Sequence, residues 1–368
     1  MTAEVVQDVG DLALPLPAVS VISDVELAIL LSGEPKYRRD QVRRGVYGGD
    51  ARGFAEITPL PCQLREALRA SCRFSAVGAE HVCVAADGTR KFLLRAIDGT
   101  VFETVQLPSE RGSATSVCVS SQAGCAMGCT FCATGTLGLM RNLAAAEIVD
   151  QFLHVRRETR GAAQPNRVIF MGMGEPLANL ANVHDAIGVL VEPGCVGLGA
   201  RHITVSTVGL PIGIREVSKW PWQIGLAISL HAASDDIRTA IVPLARSVDL
   251  KSLMEASVMY QQVTGRRVSY EYTVLKDVND HVSQARDLAN LVRDQKCHVN
   301  LIPFNSFPGS SFVAADPGTI RLFQGELQRH RIPVTIRRTR GREIAGACGQ
   351  LQASEHTGYE KRSTCGQK

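Results

Sequence analysis

Ser116-Val-Cys-Val-Ser-Ser-Gln-Ala-Gly-Cys-Ala-Met-Gly-Cys-Thr-Phe-Cys132 decides the reading of this chain. A β-rich run, Ser116–Ser120, passes directly into a glycine-rich loop that carries Cys125, Cys129 and Cys132. Zinc sites usually take four ligands in two pairs, and no fourth Cys or His follows at short range. A four-iron cluster held by three thiolates leaves one iron without a protein ligand, and that iron can hold a small molecule. Phe131, beside the last thiol, can shield such a cluster from water. The competing readings are buried apolar cysteines or an unusual zinc loop, and three thiols within eight residues weigh against chance burial.

Outward from this loop, short apolar runs alternate with helical segments. Strands are expected at Ser116–Ser120, Val168–Met171, His202–Ser206, Gly225–Ser229, Ser269–Val274, Val299–Ile302 and Val334–Arg337. Amphipathic helices are expected at Ala144–Arg157, Val183–Val191, Leu250–Val263, Ser283–Asp294 and Thr319–His330. Near-continuously apolar strands separated by helices predict a parallel sheet covered by helices. The fold class is therefore α/β, a partial (β/α)6-type barrel over residues 98–352, with its chemistry at the C-terminal strand ends. Residues 21–97 read as a small, mainly helical accessory domain, with helices at Asp24–Leu31, Tyr37–Tyr47 and Leu64–Cys72. A hairpin, Val82–Ala85 and Lys91–Ala96, turns at Asp87-Gly88. Residues 1–20 read as a disordered leader and 353–368 as a tail.

The chain has 368 residues, 11 cysteines and a net charge of +4. An odd cysteine count without a secretory signal argues against a disulfide framework and for reducing cytoplasm. No run of 18 apolar residues occurs, so no membrane association is expected. The charge is clustered: Lys36, Arg38, Arg39, Arg43 and Arg44 lie together, as do Arg331, Arg337, Arg338, Arg340 and Arg342. Two basic clusters suit phosphate contacts, or are solvated faces.

Further motifs fall at strand ends. Met171-Gly-Met-Gly-Glu-Pro-Leu177 offers freed carbonyls and Glu175 to an ammonium group. Ser206, Ser229-Leu230-His231 and Asn305 end later strands; each alone is an ordinary cap or turn residue, but together they line one barrel end. Cys118 precedes the loop on its own strand, where a small core hydrophobe is the commoner fate of a free cysteine. Cys348 lies in a small-residue loop, Gly346-Ala-Cys-Gly349, that is not core packing.

The C-x3-C-x2-C run with its aromatic residue resembles the radical S-adenosylmethionine superfamily. The wider set closely resembles the RlmN/Cfr family of RNA methyltransferases within it: Cys118-Val-Ser-Ser-Gln-Ala-Gly-Cys125, Gly172-Met-Gly-Glu-Pro-Leu-Ala-Asn179, Ser229-Leu-His-Ala232, Asn300-Leu-Ile-Pro-Phe-Asn305, Arg338-Thr-Arg-Gly341 and Ala347-Cys-Gly-Gln-Leu351. The likeness covers residues 21–352 and includes the accessory domain as an RNA-binding module; the leader and the tail with Cys365 have no counterpart.

The resemblance implies one [4Fe-4S] cluster on Cys125, Cys129 and Cys132. It implies two S-adenosylmethionine molecules per turnover, contacted by Gly174, Glu175, Ser206, Ser229, Leu230, His231 and Asn305. Cys348 is implied as methyl carrier and Cys118 as resolving thiol. Glu103 is implied as proton acceptor, although read from its strand alone it is an exposed residue. The implied substrate is C2 of an adenosine in 23S rRNA, with tRNA as a second substrate. Partners implied are a reductase such as flavodoxin or ferredoxin, and the enzyme is expected to be monomeric. C8 methylation of the Cfr type, or a radical enzyme with a non-RNA substrate, stays open on residues alone.

Overall fold

A computed structural model describes residues 16–108, 115–160 and 164–352. The N-terminal part holds helices α1 (Asp24–Leu30), α2 (Tyr37–Tyr47) and α3 (Cys62–Ser71). Ser23 and Glu26 cap α1 reciprocally: Glu26 N donates to Ser23 Oγ at 3.2 Å and Ser23 N donates to Glu26 Oε2 at 2.8 Å. Then follow β1 (Val77–Val84), β2 (Arg90–Ala96), β3 (Val101–Pro108), β4 (Thr115–Cys118), β5 (Gln122–Gly124), α4 (Ala133–Thr136), β6 (Leu139–Asn142) and α5 (Ala145–Glu158). The alternation continues with β7 (Pro165–Phe170), α6 (Leu180–Val191), β8 (Ile203–Thr207), α7 (Pro211–Val217), β9 (Gly225–Ser229), α8 (Asp235–Ile241) and α9 (Leu250–Thr264). It ends with β10 (Val268–Val274), α10 (Val282–Val292), β11 (Cys297–Pro303), α11 (Pro317–Arg329) and β12 (Val334–Ile336).

One ten-stranded sheet runs in the order β1-β2-β3-β4-β7-β8-β9-β10-β11-β12. From β4 onward every neighbour is parallel, while β1 to β4 form an antiparallel meander. The order is linear, so the barrel is partial. Val168, Val205, Ala227, Ile228, Tyr270 and Val299 are fully buried, as residues of strands covered on both faces must be.

Two expectations are corrected. The hairpin assigned to the N-terminal module is built into the barrel's own sheet, because β3 pairs with β2 on one side and β4 on the other. The sheet therefore runs through the expected boundary at residue 97. The leader, expected to reach residue 20, stops short of it: Ala18, Val19 and Ser20 are buried, and Val19 N donates to Arg73 O at 2.8 Å. Apolar residues at 18, 19 and 22 anchor this segment against the helices. The rest of the leader, and the tail from 353, lie outside the described residues. No helix among the described residues is long and apolar enough to cross a membrane.

Candidate active site

The three-cysteine loop is tied off by a small ribbon. β5 pairs antiparallel with β6, and Cys125 N donates to Gly138 O at 2.8 Å. Gly124 has φ +76°, and a Cβ there would stand 2.0 Å from Gly138 O, so only glycine closes this ribbon. Cys125, Cys129 and Cys132 are half-buried and line one cavity of about 150 Å³. Burial pushes the Cys125 thiol up to about 12, and burial likewise raises Cys129 and Cys132, with the other thiols adding to it. Thiols that repel one another's ionisation need a cationic centre to become thiolates together. No three His, Cys, Asp or Glu side chains among the described residues converge on one metal-ion position. That suits a four-iron cluster, in which each thiolate binds a different iron, rather than a single zinc ion.

The turn after β7 forms the far wall. Gly174, at φ +95°, packs so closely on Gln122 that a Cβ would lie 2.4 Å from the Gln122 Cβ. Glu175 is buried; its carboxylate accepts Leu177 N at 3.0 Å and Val208 N at 2.8 Å. No ion pair with a cation forms at this carboxylate among the described residues, and burial pushes it up to about 7. An ammonium group is the partner it lacks. Asn305 Oδ1 is likewise buried without a hydrogen bond, while its Nδ2 donates to Cys348 O at 3.2 Å. A buried carboxylate and a buried amide oxygen facing one cavity fit the amino-acid end of S-adenosylmethionine.

Ser206 and Ser229 face each other at 3.5 Å across adjacent strand ends, and both line the cavity, as do His231 and Asn305. His231 sits at φ 60°, its Nδ1 accepts Thr273 N at 3.0 Å, and its ring is 4.6 Å from that of Phe131. Burial pulls it down to about 3, so the ring is neutral. Leu230 is not brought to the cavity. Its side chain is 0% exposed, its N–H donates to Glu271 O and its carbonyl accepts Arg238 Nε.

Cys348 is exposed and borders two cavities. It lines the one holding the cluster thiols and a second, of about 90 Å³, whose opposite wall includes the buried Cys118. Burial, then the neighbouring Cys348, pushes the Cys118 thiol up to about 12, against Met171 N–H and Arg337. Arg337 lines this second cavity together with both cysteines; its Nη1 stands 3.4 Å from Met171 Sδ and its Nε 3.4 Å from Glu271 Oε2. By sequence Arg337 belongs to a phosphate-binding cluster; the structure turns it inward, half-buried beside Glu271.

Glu103 is not an exposed strand residue. It is 0% exposed, Lys91 Nζ lies 2.6 Å from its Oε1, and Gln352 N donates to its Oε2 at 2.8 Å. It lines neither cavity, because the chain after Cys348 closes over it. Sequence reading misses Lys91, Arg337, Glu271 and Arg238 as site residues. Their partners lie far away in sequence, and only Arg337, next to the Arg338-Thr-Arg-Gly341 motif, carries a local signal.

Comparison with known proteins gives a consistent set of relatives. Residues 119–289 match the family model of the radical SAM superfamily. Over 316 residues the chain is 43% identical to a dual-specificity RNA methyltransferase RlmN of Thermus thermophilus, covering 86% of this chain and 88% of that one. It is 44% identical over 329 residues to the RlmN of Gloeobacter violaceus, covering 89% and 92%. A crystal structure of a radical SAM methyltransferase from Sphaerobacter thermophilus superposes with a TM-score of 0.88 at 39% identity, covering 92% of this chain and 100% of that one.

Proposed function

Because this chain belongs to the RlmN family of radical S-adenosylmethionine RNA methyltransferases, we propose that it methylates C2 of an adenosine in 23S rRNA and of an adenosine in tRNA. C2 of adenine has no lone pair, so displacement at a methylsulfonium is closed to it and a carbon radical must add to the ring. When bound, the cluster and two molecules of S-adenosylmethionine supply a methyl group and an adenosyl radical that takes a hydrogen from it.

This chain's residues do the rest. Cluster ligation falls to Cys125, Cys129 and Cys132. Glu175, Gly174, Ser206, Ser229, His231 and Asn305 hold the cofactor, while Leu230, kept out of the cavity, only supports their strand ends. Cys348 accepts the methyl group on its sulfur and presents that carbon to adenine. Glu103 takes the proton from the adduct carbon, which requires the segment around Gln352 to lift from its carboxylate. Cys118 then attacks the Cys348 sulfur: an S–S bond forms, the S–C bond breaks with its electron pair on the carbon, which is reprotonated, and the unpaired electron left by radical addition returns to the one-electron carrier that supplied it. Residues 21–97 help to grip RNA, a flavodoxin or ferredoxin delivers the electron, and the enzyme acts as a monomer in the cytoplasm.

The observation that carries this reading is the position of Cys348, on the wall common to the cavity of the cluster thiols and the cavity of Cys118. A sulfur that must be loaded by one group and released by another needs access to both. Anaerobic turnover of the reconstituted enzyme on 23S rRNA fragments and on tRNA, with nucleoside mass spectrometry, tests it. The expected product is 2-methyladenosine in both RNAs. Formation of 8-methyladenosine, or no methylated adenosine, overturns it.

A further inference from the structure

α8 lies against the cluster loop, its Ile241 carbonyl accepting the Thr130 N–H at 3.0 Å and the Thr130 hydroxyl at 3.2 Å. On that helix, Arg238 is 0% exposed. All three of its hydrogen bonds go to carbonyls: Nη2 to Val208 at 2.7 Å, Nη1 to Val248 at 3.2 Å and Nε to Leu230 at 3.3 Å. No ion pair forms between it and a carboxylate among the described residues. The acid one turn before it, Asp235, is engaged by Leu250 N at 2.8 Å. Val208 and Ile241, around it, pack in one apolar group with Phe131, Cys129 and Cys132.

A buried guanidinium with no counter-charge costs several kcal/mol, and carbonyl dipoles offset only part of that. Burial pulls Arg238 down from its ordinary value, and the groups that oppose this are Cys129 first and Asp235 second. Val208 and Ile241, which flank Arg238, pack on Cys129 and Cys132, and Ile241 O holds Thr130 between those cysteines, so the missing negative charge is expected at the cluster thiols. Three thiolates outweigh the two positive charges of an oxidised four-iron core, and an added electron makes the assembly more negative still.

We propose that Arg238 is the buried counter-charge of the iron–sulfur cluster and favours its reduced form. The guanidinium attracts the cluster more strongly after reduction than before. Removing the charge therefore makes reduction harder without removing a cluster ligand. The inference depends on the family's cluster and not on the identity of the RNA substrate.

The test uses full-length protein, reconstituted anaerobically as wild type, Arg238→Gln and Arg238→Lys, without RNA or S-adenosylmethionine. Dithionite titration with redox dyes, followed by the paramagnetic signal of the reduced cluster, gives the reduced-to-oxidised ratio at the potential where wild type is half reduced. Arg238→Gln is expected to lower that ratio tenfold or more, about 59 mV for one electron. Arg238→Lys, which keeps the charge but not the three carbonyl bonds, is expected to fall less than threefold. A smaller fall in Arg238→Gln, or an equal fall in both variants, overturns the proposal. Should Arg238→Gln fail to hold four irons, iron content decides: retention by Arg238→Lys supports it, and loss from both variants overturns it.

Discussion

Glu175→Gln separates the energetic cost of the cofactor shelf from its use. The buried Glu175 carboxyl is raised from an ordinary 4.5 to about 7 by burial. Between those values the unfolded chain has released a proton that the folded chain keeps, so folding loses ground as pH rises through this window and the penalty is constant above it. At 1.36 kcal/mol per unit, ionised Glu175 disfavours the cofactor-free fold by about 3 kcal/mol at pH 8 and by about 1.4 kcal/mol at pH 5.5. Glutamine carries no such charge and still offers one acceptor to Leu177 N or Val208 N. The stability of Glu175→Gln relative to wild type should therefore improve by about 2 kcal/mol on going from pH 5.5 to pH 8. Urea unfolding of the cofactor-free, cluster-free protein at both pH values reads this difference. In the same variant, S-adenosylmethionine affinity should fall at least tenfold, because the ammonium loses its carboxylate partner. A stability difference that does not change between the two pH values would refute the view of Glu175 as a desolvated charge awaiting a cation.

Three other substitutions probe the remaining parts. Cys118→Ala should stall release of product, so that a covalent protein–RNA species accumulates on denaturing gels; normal turnover would exclude Cys118 as the resolving thiol. Lys91→Met removes the cation from the buried Glu103 carboxylate and should cost about 3 kcal/mol, read by thermal unfolding, with Glu103→Gln in the same chain recovering more than half of the loss. Gly174→Ala drives a Cβ to 2.4 Å from the Gln122 side chain at φ +95°, and should lower cofactor affinity tenfold or more while iron content stays at wild-type level.

Much of the framework was legible because its signals are local. The helix at Tyr37–Tyr47 and the strand at Gly225–Ser229 have the ends expected from periodicity and glycine punctuation. The cysteine spacing and the Gly-Glu-Pro turn are contiguous, so sequence displays them whole. What sequence hid is charge pairing across strands. Glu103 lies in an alternating strand and looks solvated until β2 brings Lys91 to within 2.6 Å of it. Arg238 follows Asp235-Asp236-Ile237 and reads as the polar face of a surface helix, yet Gly209 leaves room for its guanidinium, 3.4 Å from where a Cβ would stand. Arg337 and Glu271 meet only because β10 and β12 flank β11. A boundary drawn at residue 97 failed for a related reason: a hairpin's sequence shows its own turn, not which sheet its outer edge will join.

The loop carrying Cys348 owes its position to the cluster loop as much as to its own sequence. Ala133 N donates to Gly349 O at 2.8 Å and Thr134 Oγ1 donates to Leu351 O at 2.7 Å, both from the turn that follows Cys132. Asn305 holds Cys348 O, and Gln350 Nε2 reaches Ser306 O at 2.8 Å, both at the end of β11. Gln352 N then covers Glu103. The Cys348 loop is thus registered against the turn after Cys132 on one side and against the end of β11 on the other. Each of these bonds is worth only about 1 kcal/mol net, so together they fix the loop without making it immovable.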